Sequence, residues 1–140
     1  MTGRRVQIKI CGLTTPDAMM AAIDEGADYI GFVFYPPSPR HVDVEVARYL
    51  ASYVPKDLKI VGLFVDPAPA MLDEVLSNVR IDMIQLHGKE TPEDVVSTSR
   101  RFGRPILKSI SVSSATDLER ARLYEPVCDW LLFDAKAEKL

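Results

Sequence analysis

The sequence predicts an α/β chain folded as a parallel βα barrel of the kind that closes with eight units, with about six of them present as a single, incomplete domain over residues 1–140. Three observations predict it. Six short apolar runs recur at 7–11, 29–34, 60–65, 83–87, 106–110 and 130–134. Their starts lie 22, 31, 23, 23 and 24 residues apart, the length of one strand plus one helix. Each intervening segment carries helix punctuation or a helical apolar stripe. The last run lies close to the C-terminal Leu140, so the expectation is a C-terminally incomplete copy of the barrel.

In the first run, strand alternation turns Ile8 and Ile10 toward the covering helices and Gln7, Lys9 and Cys11 inward. Thr15-Pro16-Asp17 then supplies an N-cap, a first-turn proline and an acidic first turn, and Gly26 a stop. The second run is apolar almost throughout, as strands covered on both faces are. The long second interval holds a stiff loop, Tyr35-Pro36-Pro37-Ser38-Pro39-Arg40-His41, of the sort on which βα folds build sites. Asp43 caps a helix whose apolar face is Ala47, Leu50, Ala51 and Val54, ended by Pro55. After the third run, Leu72, Val75, Leu76 and Val79 make another stripe. The fourth run ends at His87, and Thr91-Pro92-Glu93-Asp94 repeats the capping device. Ser114 starts a fifth helix carrying Leu118 and Ala121. In the sixth run Leu131 and Phe133 face the helices, leaving Leu132 and Asp134 inward.

Composition narrows the function. A net charge of −3 with no basic block longer than a pair gives no nucleic-acid footprint. No apolar run approaches the roughly 18 residues of a membrane span, and no apolar segment follows Met1–Arg5 as in a signal peptide. Two cysteines, Cys11 and Cys128, make no disulfide framework. A cytoplasmic protein with no membrane partner is the expectation; oligomeric state is left open.

In this architecture active sites lie at the C-terminal ends of the strands. Cys11 and Asp134 both fall there, and a thiol and a carboxylate at one mouth suit a base and an acid. Each has a plainer reading. A free cysteine is usually a small buried hydrophobe, and an aspartate ending a strand is often a cap. His87 is either a site residue or a strand-end histidine bonded to the backbone. Arg40 either binds an anion or is solvated. Cys128 precedes the last strand, away from that face, and reads as structural. Lys9 and Lys108, if inward, need acidic partners, because an unpaired buried ammonium is costly.

Longer motifs add a family. Lys9-Ile10-Cys11-Gly12-Leu13-Thr14, Gly26-Ala27-Asp28-Tyr29-Ile30-Gly31-Phe32-Val33-Phe34-Tyr35-Pro36, Ser38-Pro39-Arg40, Val61-Gly62-Leu63-Phe64-Val65, Gln85-Leu86-His87-Gly88 and Leu132-Phe133-Asp134-Ala135-Lys136 occur in order. Together they resemble the phosphoribosylanthranilate isomerases of tryptophan biosynthesis. The resemblance implies a (βα)8 TIM barrel that carries out an Amadori rearrangement of a small phosphorylated substrate, N-(5-phosphoribosyl)anthranilate, without metal or organic cofactor. It places Cys11 as general base, Asp134 as general acid and Arg40 on the anthranilate carboxylate, with His87 counted among the substrate-binding residues. It also implies two further βα units, with glycine-rich turns that cradle the substrate phosphate; residues 137–140, Ala-Glu-Lys-Leu, do not supply them. Competing expectations are a related phosphosugar isomerase or epimerase, and a non-catalytic remnant or strand-sharing assembly partner.

Overall fold

A computed structural model describes residues 3–135. It contains two compact units, one made of the residues up to Leu63 together with Pro67–Asp82, the other of Phe64–Asp66 and the residues from Met83 on. In each, parallel strands alternate with helices and stand in chain order.

The first unit holds β1 (Lys9–Cys11), α1 (Pro16–Asp24), β2 (Tyr29–Val33), α2 (Val44–Ala51), β3 (Lys59–Phe64) except its last residue, and α3 (Pro69–Asn78). Cys11 lies opposite Gly31, and Val33 opposite Leu63. Ile30, Phe32, Ile60, Val61, Met19 and Leu50 are buried and form its core. The first ladder begins two residues later than the apolar run suggests. The reason is Asp28, whose carboxylate accepts the Ile8 N–H at 2.8 Å while Ile8 O accepts the Asp28 N–H at 2.9 Å. That bond, with the Arg5 guanidinium 2.8 Å away, holds the Asp28 carboxyl below the usual carboxylate range.

The same reciprocal clip recurs twice. Asp82 accepts from Ile60 N at 2.9 Å and returns its own N–H to Ile60 O at 2.8 Å. Asp129 does the same with Ile106, at 2.8 and 2.9 Å. Each aspartate immediately precedes a strand, the three strands beginning at Tyr29, Met83 and Trp130.

The second unit holds β4 (Met83–Leu86), α4 (Pro92–Phe102), β5 (Ile106–Val112), α5 (Ala115–Ala121) and β6 (Trp130–Ala135). Ile84 lies opposite Ile106, and Ser111 opposite Asp134. Phe64, Ile84, Leu86, Ile106 and Ile110 are buried in it.

The caps follow their sequence signals. Thr15 Oγ1 accepts from Ala18 N, and Asp43 from Val46 N at 2.8 Å. Thr91 and Asp94 form a full capping box, and α4 ends on Gly103 in the left-handed region. α3 starts on Pro69 with no side-chain cap. Leu72, Val75 and Val79 are buried as the stripe predicts, and Val54 is buried although α2 has already ended.

Two expectations about covered faces fail. Leu118 is exposed; α5 is short, and Tyr124 beyond its end is buried instead, its hydroxyl donating to Glu90 O at 2.6 Å. Ile8, Ile10 and Phe133, assigned to helix-covered faces, are also exposed, Phe133 by 56%. Strand parity decides which way a side chain points. Burial needs a partner element as well, and α1 to α5 do not cover these positions.

Candidate active site

In the first unit the site residues are set by close approach. Gly12 follows Cys11 with φ +80°, the left-handed conformation that glycine adopts without strain. Its N–H and that of Leu13 both donate to Gly31 O, at 2.9 and 3.2 Å, turning the chain sharply at the end of β1. A Cβ at Gly12 would lie 2.6 Å from Arg40 Cδ and 2.9 Å from a guanidinium nitrogen, so Arg40 lies across this glycine. A Cβ at Gly31 would lie 2.9 Å from Cys11 Sγ. The loop that carries Arg40 is tied back by Val42 N donating to Val33 O at 3.0 Å, and its Ser38 Oγ accepts from Arg40 N at 3.2 Å. Cys11 is half-buried and Arg40 is exposed. A cation for an anion and a thiol for a proton are thus brought together.

In the second unit the site residues are set by polar bonds. Gln85 is 2% exposed, and its Nε2 lies 3.1 Å from His87 Nδ1. His87 Nε2 lies 3.4 Å from Asp134 Oδ2 and 3.5 Å from Ser109 Oγ. The His87 ring therefore meets the side chains of Gln85, Asp134 and Ser109. Both His87 and Asp134 keep solvent access, with side chains 30% and 51% exposed.

Behind His87 stands a buried ion pair. Lys108 Nζ lies 2.8 Å from Glu90 Oε1, the two side chains being 3% and 5% exposed. Lys108 also donates to Gly88 O at 2.8 Å. Glu90 accepts from Gly88 N at 2.9 Å and from Asp66 N at 2.8 Å. Asp66, in turn, accepts from Lys89 N at 2.7 Å and holds φ +45°, a left-handed conformation rare outside glycine. A Cβ at Gly88 would lie 2.6 Å from the Asp66 carboxyl, so this closure requires glycine there. The acidic partner expected for Lys108 is Glu90. Glu90, Asp66 and the amide of Gln85 were not legible as site residues. The usable signal for Glu90 was an inward lysine that needed an acid, with an acid three residues after His87.

Cys128 sits before β6 and is half-buried; burial pushes its thiol pKa up, which suits a structural role.

The family model described as N-(5'phosphoribosyl)anthranilate (PRA) isomerase matches residues 8–139. The chain belongs to the N-(5'-phosphoribosyl)anthranilate isomerase family. Among its relatives is the isomerase of Rhodospirillum centenum, 54% identical over 96% of this chain and 63% of the relative. That of Paramagnetospirillum magneticum is also 54% identical, over 96% of this chain and 62% of the relative. The chain thus spans somewhat less than two thirds of the length of these relatives. The Thermotoga maritima isomerase crystal structure superposes with a TM-score of 0.88 at 34% identity, covering 97% of this chain and 64% of that one. A phosphoribosylanthranilate isomerase in complex with reduced 1-(o-carboxyphenylamino)-1-deoxyribulose 5-phosphate superposes with a TM-score of 0.86 at 34% identity, over 94% of this chain and 66% of that one. These isomerase-family likenesses give the TIM-barrel type of fold that the periodic runs predict. Among the described residues no helix is long and apolar enough to cross a membrane.

Proposed function

We propose that the full-length protein isomerises N-(5-phosphoribosyl)anthranilate to 1-(o-carboxyphenylamino)-1-deoxyribulose 5-phosphate, with this chain supplying acid, base and carboxylate anchor. Asp134, protonated, gives its proton to the furanose ring oxygen as the C1–O bond breaks, leaving an iminium. Cys11, as thiolate, removes the proton from C2, and the electron pair of that bond neutralises the iminium to give an enolamine. The enolamine tautomerises to the aminoketone, and proton return from thiol to carboxylate restores the enzyme. Arg40 binds the anthranilate carboxylate, and His87 borders the substrate beside Asp134.

The observation that carries this reading is Arg40 lying across Gly12, next in sequence to Cys11. A guanidinium that takes a carboxylate and a thiol that takes a proton suit a substrate bearing both an acid and an acidic C–H. The complexed relative supports the reading, because its ligand carries a carboxyphenylamino group and a sugar phosphate on one chain.

The test is the loss of anthranilate-adduct fluorescence in the full-length protein and its variants. Cys11→Ala and Asp134→Asn are each expected to lower kcat by about 10²–10⁴. Arg40→Ala is expected to raise KM by roughly 10–100-fold with a smaller change in kcat, as loss of a charge-assisted bond of about 1.5–3 kcal/mol implies. Unchanged turnover in both Cys11→Ala and Asp134→Asn would refute the acid–base assignment.

A further inference from the structure

We propose that Gln85 is a positioning residue that fixes His87 as its Nε2–H tautomer, aiming the ring N–H at Asp134. The functional half of this inference rests on the acid role proposed for Asp134.

The argument starts from a buried amide with one satisfied end. Gln85 Nε2 lies 3.1 Å from His87 Nδ1, while Gln85 Oε1 has no hydrogen-bond partner among the described residues. An amide NH2 can only donate, so Nδ1 must be the bare, accepting nitrogen. The ring proton is then on Nε2, which faces Asp134 Oδ2 at 3.4 Å and Ser109 Oγ at 3.5 Å, both able to accept. Turning the amide over would place Oε1 on His87 and bury an NH2 with two donors where nothing accepts. An orphaned buried N–H is rarer in proteins than an under-satisfied carbonyl, so the arrangement with Nε2 toward His87 is preferred.

The tautomer matters because it sets the direction of the bond to Asp134. With a bare Nε2, a protonated Asp134 would give its hydrogen bond to His87 and hold back the proton wanted by the sugar. With Nε2–H, the ring cannot take that proton. It donates weakly to the neutral carboxyl and more strongly to the carboxylate that forms as the proton leaves. A bond that strengthens along the reaction favours the transition state over the ground state.

The experiment reads the tautomer by nitrogen-15 correlation spectroscopy of His87 and kinetics by the fluorescence assay, both on the full-length protein. Wild type should carry its proton on Nε2. Gln85→Glu, whose carboxylate can only accept, should move the proton to Nδ1. Gln85→Met, which removes the polar contact and keeps the volume, should leave a mixture of tautomers. Gln85→Met is also expected to lower kcat by roughly tenfold with little change in KM, since a hydrogen bond of ordinary strength is at stake. A wild-type His87 protonated on Nδ1, or a tautomer unmoved in both variants, would overturn the proposal; if Gln85→Glu does not fold, Gln85→Met alone decides. Correct tautomers in a protein without isomerase activity would count against the proposed function and leave the role of Gln85 standing.

Discussion

The surroundings of Cys11 and those of His87 solve the same problem by different means. Cys11 and Arg40 are placed by steric closeness: two glycines, Gly12 and Gly31, leave no room for a Cβ. His87 is placed by polar satisfaction, with Gln85 on one ring nitrogen and the Lys108–Glu90 pair clamping the loop that follows it. A steric site fails when an atom is added. A polar site fails when a partner is taken away, because the group left behind is buried without compensation.

The largest effect is expected on the polar side. Lys108→Met leaves Glu90 buried without its cation and should cost about 3–5 kcal/mol in urea unfolding. Replacing Glu90 by Met as well should recover much of that loss, since an apolar pair of similar volume is often neutral in place of a buried ion pair. A double variant no more stable than Lys108→Met would show that Glu90 acts chiefly through Gly88 and Asp66.

On the steric side, Gly31→Ala puts a methyl 2.9 Å from Cys11 Sγ and 3.2 Å from Cys11 Cα. The expected loss is about 1–3 kcal/mol, with kcat reduced because the thiol must shift. Gly12→Ala adds the strain of a positive φ, about 1–3 kcal/mol, and should raise KM by displacing Arg40. Restored KM on combining Gly12→Ala with a shorter residue at position 40 would break the contrast, since Arg40 would then not be needed for binding.

Smaller effects lie away from both sites. Thr91→Ala removes the cap of α4 and should cost about 1 kcal/mol in thermal or urea unfolding. The pH dependence from Asp28 and Asp117 is smaller still. Both carboxyls are held below their ordinary range, Asp28 first by the Ile8 N–H and Asp117 first by the Ser113 N–H. The stability each adds is fully present above the ordinary carboxylate pKa and is lost as pH falls through the lowered one. A shallow decline on acidification, reduced in Asp28→Asn, is the expected result.

Much of the frame was legible because its signals are local. The six apolar runs, the Thr15, Asp43 and Thr91 caps and the buried Leu72–Val75–Val79 stripe each depend on residues within a few positions of one another. What stayed hidden depends on residues far apart in the chain. Glu90 meets Asp66 across 24 positions and Lys108 across 18. Neither bond leaves a pattern that spacing along the chain can show. Leu118 and Phe133 were misjudged for a related reason, since a strand or helix face says nothing of whether another element lies on it. For the candidate site, the motif residues pointed to Cys11, Arg40, His87 and Asp134. The amide that orients His87 stood in the same Gln-Leu-His-Gly run, where nothing in its spacing marked it out.

The aspartate clips bear on how such a chain could change over generations. Asp28, Asp82 and Asp129 stand 54 and 47 residues apart, roughly twice the strand-to-strand interval. Each closes on an isoleucine at or beside the preceding odd-numbered strand. Recombination that splits such a couple leaves an isoleucine amide without its acceptor and a carboxylate without its donor. Recombination after an even strand leaves every clip whole. Among the described residues, what these three clips keep whole is the couplet of an odd-numbered strand and the even-numbered strand that follows it.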